Sequence, residues 1–141
     1  MKTLIALTAV VSLGLAGPVL AQSQGEAAAE TPILAGATAA PDCGNLYSLA
    51  GKAFCVSAPL ASVGALADAY VAHFEGQGWL GAGGDNNRVV LVKRRESGGC
   101  DGIQMIAFYD TTRPASPTAT GYLGFATIPG DVCAAAAPAA Q

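Results

Sequence analysis

The chain is poor in the residues that usually carry chemistry. It has one histidine, one tryptophan and four cysteines, and no two cysteines form a CxxC pair. A nucleophilic triad needs an imidazole base, so any triad here must use His73. A zinc site needs more ligands at closer spacing, and a thiol redox centre needs a CxxC or an activated lone cysteine. Charge is thin as well. Charged residues make up 12% of the chain, with 7 Lys and Arg against 10 Asp and Glu and a formal net charge of -3. An acidic chain with no long basic stretch argues against nucleic acid and anionic membrane surfaces as partners. The hydrophobic share is 52%, but much of that is alanine and the N-terminal run. Large apolar residues are few elsewhere, so the core must be small, and small cores are often helped by disulfides.

What is present, first, is an export address. Lys2 supplies a positive start and Leu4 to Leu15 an apolar run. Gly17 and Pro18 then break the helix, and Val19-Leu20-Ala21 precedes Gln22 as a small-residue cleavage pattern. Residues 1–21 read as a signal peptide, which places the mature chain in the periplasm or outside the cell. The rival reading is a retained anchor, because Leu4 to Ala21 approaches the ~20 residues of a spanning helix. Gly14, Gly17 and Pro18 weaken such a helix and no basic stop-transfer cluster follows. No membrane insertion is expected after cleavage. Lipid attachment would need a cysteine where Gln22 stands.

Residues 22–41 read as a flexible leader rich in Ala, Gly and Pro, and 135–141 as a disordered tail. Between them, 42–134 is long enough for one domain. Four cysteines in an exported chain of this size favour two disulfides among Cys43, Cys55, Cys100 and Cys133.

Periodicity orders the domain. Ala53 to Ser57 is a short strand. In Pro59 to Glu75, Val63, Leu66, Ala67, Tyr70, Val71 and Phe74 recur at helical spacing. Ser57 is a cap candidate, Pro59 suits a first turn, and Gly76 is a plausible left-handed stop. Trp79 and Leu80 are expected to fold back onto the sheet. Gly81 to Asn87 reads as a loop. Arg88–Glu96, Cys100–Asp110 and Gly121–Ile128 read as strands, and Thr111–Thr120 as a polar, proline-bearing loop. The fold class is therefore α+β, in the order β-α-β-β-β. One amphipathic helix packs on a small antiparallel sheet. In a hairpin the start of one strand lies beside the end of the next, which favours Cys100–Cys133 and leaves Cys43–Cys55. The strands are apolar on both faces and one helix covers only one. The second face then needs Leu46-Tyr47, Ile33-Leu34, a second copy or a partner.

Candidate chemistry is sparse. His73 lies on the flank of the helix stripe, away from any G-x-S-x-G elbow. The carboxylates sit on the polar helix side or in turns and do not converge. The Gly81–Gly84 run precedes a strand, whereas a phosphate loop precedes a helix. No cofactor or metal is expected. The binding candidates are Arg113, on the 111–120 loop, and the group Arg88, Lys93, Arg94 and Arg95. The last four would be an anionic-partner patch or a solvated strand end.

From Phe54 to Cys133 the arrangement is similar to small helix-on-sheet domains of bacterial envelope proteins; it implies no residue roles. The expected function is an exported, disulfide-stabilised, non-catalytic binding module. Its contact would be a protein partner or a second copy on the second sheet face, or the Arg113 loop. An inhibitor of an extracytoplasmic enzyme acting through the 111–120 loop is the alternative, and a small enzyme comes behind both.

Overall fold

The computed structural model describes Ala27 and residues 30–135. The signal-peptide reading of residues 1–21 lies outside them. Thr38–Ala39 forms strand β1, and Cys43–Asn45 a tight 3-10 turn. Phe54–Pro59 (β2) leads directly into the helix Leu60–Gly76 (α1). Leu80–Asp85 (β3), Arg88–Arg94 (β4), Cys100–Tyr109 (β5) and Thr120–Ile128 (β6) follow, and Val132–Ala135 (α2) closes the described chain. The six strands form one antiparallel sheet in the order β1-β2-β6-β5-β4-β3. The α+β fold, with one main helix on an antiparallel sheet, is the one read from periodicity. Both disulfides, Cys43–Cys55 and Cys100–Cys133, pair as the hairpin argument requires.

The helix buries Val63, Leu66, Tyr70 and Phe74, the stripe its spacing announces. These residues meet Val56, Leu91, Ile103, Met105, Leu123 and Phe125 from the sheet. Phe125 sits at the centre, with ring centroids 4.8 Å from Tyr70 and 6.1 Å from Phe74. The start of α1 differs from expectation. Ser57 does not cap it, and Pro59 is the boundary residue with no side-chain bond. Instead the backbone N–H groups of Leu60 and Ala61 donate to Ala119 O (2.7 Å) and Pro117 O (3.1 Å). Two orphan donors of the helix are thus satisfied by the loop between β5 and β6. At the other end the left-handed residue is Gly78 (φ +88), two residues beyond Gly76.

Two segments read as loop or leader are structured. Most of the 81–87 segment belongs to the edge strand β3, Leu80–Asp85, with a bulge between Gly81 and Gly83. Gly83 and Gly84 sit at φ +146 and +150, and a Cβ on Gly84 would collide with the Arg88 carbonyl oxygen. The extended form used here is open only to glycine, so the residues that signal a turn are the ones this strand requires. Residues 30–41 are held on the domain. The Tyr70 hydroxyl donates to Pro32 O (2.8 Å) and accepts from Leu34 N (3.3 Å). Trp79 Nε1 donates to Glu30 Oε2 (3.1 Å), and β1 pairs with β2. The ordered unit therefore begins before Asp42.

The second face of the sheet is covered largely by the chain itself. Ala40, Cys43, Ala53, Leu46 and Leu49 pack over Cys55, Phe108, Ile106, Tyr122 and Ala126. Val132 of α2 closes over Gly102 and Ile128 at the opposite end. Leu46 is thus part of the cover, whereas Leu34 packs on the helix side of the sheet and Ile33 is 47% exposed. No helix among the described residues is long and apolar enough to cross a membrane.

Candidate functional site

The turn over the second face has an unusual backbone. Cys43, Gly44, Asn45, Tyr47 and Ser48 all have φ between +51 and +64. Four of these five are not glycine, and a side chain in that region costs about 1–2 kcal/mol per residue, less for asparagine. The segment is held by local bonds: Asp42 accepts from Gly44 N (3.0 Å), and Asn45 N and Leu46 N donate to Asp42 O and Cys43 O. The Cys43–Cys55 bridge ties its start to β2. Such strain persists where the surroundings over-determine it, and it collects at binding sites and clamps.

Beside this turn stands the loop from Asp110 to Ala119. Asp110 Oδ1 accepts from the Thr112 hydroxyl (2.6 Å) and Thr112 N (3.0 Å), while Oδ2 lies 3.2 Å from Arg113 Nε. The Thr112 hydroxyl and backbone N–H, with Arg113 behind them, hold the Asp110 carboxyl below the usual carboxylate range. Arg113 N donates to Asp110 O, and Ala119 N to Ser116 O. With Pro117 and Ala119 bonded to the helix start, the loop is fixed at both ends and exposed at its tip.

Turn and loop border two clefts. One, of about 440 Å³, is lined by Tyr47, Leu49, Asn87, Ile106, Phe108 and Tyr109, with no charged side chain. Tyr47 stands edge-on to Phe108, 5.8 Å between centroids, and its hydroxyl donates to Tyr109 O (3.2 Å). The other, of about 520 Å³, runs along Gly44, Leu46, Asp110, Arg113 and Tyr122. Tyr109 lines both. The first cleft has the mostly apolar lining with a few polar groups that is common in ligand sites, whereas the second is lined about equally by polar and apolar groups.

The basic residues singled out from sequence divide. Arg113 is at this site. Arg88 pairs with Asp85 at 2.9 Å in the β3–β4 turn. Lys93 lies on the helix face, 5.7 Å over the Trp79 ring. Arg95 is bound to Asp101 Oδ1 and Gly130 O, both at 2.7 Å. Arg94 is opposite Cys100 and forms no ion pair among the described residues. The β4 group is spread over two faces and both ends of one strand. His73 is half-buried, 3.1 Å from Gln77 Nε2 and edge-on to Phe74. Cys100, Asp131 and Cys133 lie close enough to hold a metal ion, but the two sulfurs are bonded to each other. Asp131 Oδ1 accepts from the N–H groups of Cys100 (2.9 Å), Cys133 (3.0 Å) and Ala134 (3.3 Å).

Tyr47, Leu49, Asn87 and Tyr109 were not singled out as site residues from the sequence. The signal present was Asp42-Cys43-Gly44-Asn45, three of whose residues tolerate left-handed backbone. No family model matches this chain, and no curated protein or solved structure matches it.

Proposed function

We propose that this chain is an exported, non-catalytic binding module of the bacterial cell envelope, acting in the periplasm or outside the cell. Its contact end is formed by the turn at 43–49, the end of β5 and the 110–119 loop. The observation that carries this reading is the run of left-handed residues clamped by Cys43–Cys55 against two adjoining clefts. A sequence that keeps so much strain in one segment gains something from its shape. The N-terminal signal pattern and two disulfides support an oxidising compartment. A second copy has less to dock on, since the chain covers much of its own second face. What remains there is a strip with Leu80, Val90 and Val92.

The inhibitor reading has its own support. The 110–119 loop is pinned to the start of α1 by two backbone bonds, and a loop ordered in advance loses little entropy on binding. Deleting residues 112–118 would then abolish inhibition.

The test is capture from an envelope extract of the source cells, using oxidised Gln22–Gln141 and chemical cross-linking. A Cys43→Ser/Cys55→Ser variant should lose the stoichiometric partner, and a Cys100→Ser/Cys133→Ser variant should keep it. A partner retained equally by both variants, or none from the oxidised chain, would contradict the reading.

A further inference from the structure

The two clefts differ in chemistry and meet at Tyr109, and this juxtaposition specifies what they would hold together. The first is uncharged and walled by aromatic and aliphatic side chains, with Tyr47 59% exposed at its mouth. A charged group placed there would lose hydration with no ion to replace it. The second carries Arg113, whose side chain is 81% exposed and meets Asp110 only through Nε. The Asp110 contact orients the guanidinium, and among the described residues its two terminal nitrogens have no partner. A guanidinium fork with free terminal N–H groups is matched to a carboxylate. Thr112 alone separates Thr111, on the first cleft, from Arg113, on the second.

We infer that the site takes an extended segment of a partner protein in which an aromatic residue is followed by an acidic one. The aromatic ring enters between Tyr47, Leu49 and Phe108, and the carboxylate reaches the terminal nitrogens of Arg113. This rests on the binding-module reading and adds the chemistry of the partner. Tyr47 supplies ring contact at low entropy cost, the usual role of an exposed tyrosine at an interface. A basic residue beside Arg113 would meet like charge, while the Asp110 carboxylate is already engaged by Arg113 Nε and Thr112.

The test is a set of blocked dipeptides titrated into the oxidised chain by NMR, read at the methyl groups of Leu49 and Ile106 and at the Arg113 side chain. Acetyl-Trp-Glu-amide should give saturable shifts at all three. Acetyl-Trp-Gln-amide should shift the methyls but bind about threefold more weakly, the scale of one exposed ion pair. Acetyl-Ala-Glu-amide should shift none of them. In Arg113→Gln the Glu and Gln peptides should bind alike, and in Leu49→Trp, which fills the first cleft, none should bind. Equal affinity of the Glu and Gln peptides for the wild type would overturn the inference, as would shifts confined to other residues or no shifts at all. That result leaves the captured-partner experiment standing as the separate test of the binding module. A captured partner that binds Leu49→Trp as well as wild type would overturn the inference but not the module.

Discussion

Tyr70 shows how much one side chain carries. Its ring lies in the core against Phe125, and its hydroxyl bonds both Pro32 O and Leu34 N, so it fixes the leader to the helix. Tyr70→Phe keeps the ring and frees the leader, and is expected to cost about 0.5–1.5 kcal/mol per hydrogen bond lost, since both partners are only part-buried and water can replace them. Amide exchange at Leu34 should rise in the same variant. Phe125→Ala would open a cavity among three rings and cost about 3–5 kcal/mol. A Cβ on Gly44 would lie 2.5 Å from Tyr122 Oη at φ +64, so Gly44→Ala should lower stability by at least about 1–2 kcal/mol. The contrast is Gly64, exposed in mid-helix with nothing within 4 Å of an added methyl. Gly64→Ala should raise stability by about 1 kcal/mol. Urea unfolding of the four variants checks all these values.

The elements were unequally legible. Helix α1 and strands β2, β4, β5 and β6 announce themselves because burial imposes period on Val63, Leu66, Tyr70 and Phe74 and β-branched runs on Arg88–Arg94. The disulfide pairing followed from hairpin geometry. Strand β3 was not legible, because its glycines adopt an extended form with positive φ that looks like a turn in composition. The leader was not legible either, since its anchors are hydrogen bonds from Tyr70 and Trp79, far away in sequence. Of the site, Arg113 and its loop were visible. The strained turn was hidden, because nothing in Tyr47 or Ser48 predicts left-handed backbone. The two bridges enclose separations of 12 and 33 residues. Loop-closure entropy gives about 3 kcal/mol for the shorter and about 4 kcal/mol for the longer. Removing Cys43–Cys55 should also release the turn, seen as faster amide exchange at Leu46 and Leu49, while removing Cys100–Cys133 should leave those amides protected.

At the scale of the whole molecule, stability should have acid and alkaline limits with known causes. Backbone N–H groups, Cys100 first, hold the Asp131 carboxyl below the usual range, and Thr112 does the same for Asp110. A carboxyl lowered in the fold contributes stability that is complete above its unfolded value of about 3.9 and is lost as pH falls through the folded one. Burial raises the Tyr70 hydroxyl. Its contribution is complete below the unfolded value of about 10 and is lost as pH rises beyond it. Thermal melts across pH should therefore fall at both ends, and Tyr70→Phe should remove part of the alkaline fall. The central claim is that partners meet the end of the sheet where the left-handed turn and the 110–119 loop stand together. It is tested most directly by placing a photo-cross-linking residue at Thr111, with the exposed helix position Ala72 as the comparison, and irradiating the oxidised chain in its source-cell envelope. The account predicts one discrete adduct from Thr111 and none from Ala72. An adduct from Ala72 with none from Thr111, or the same products from both, would contradict it.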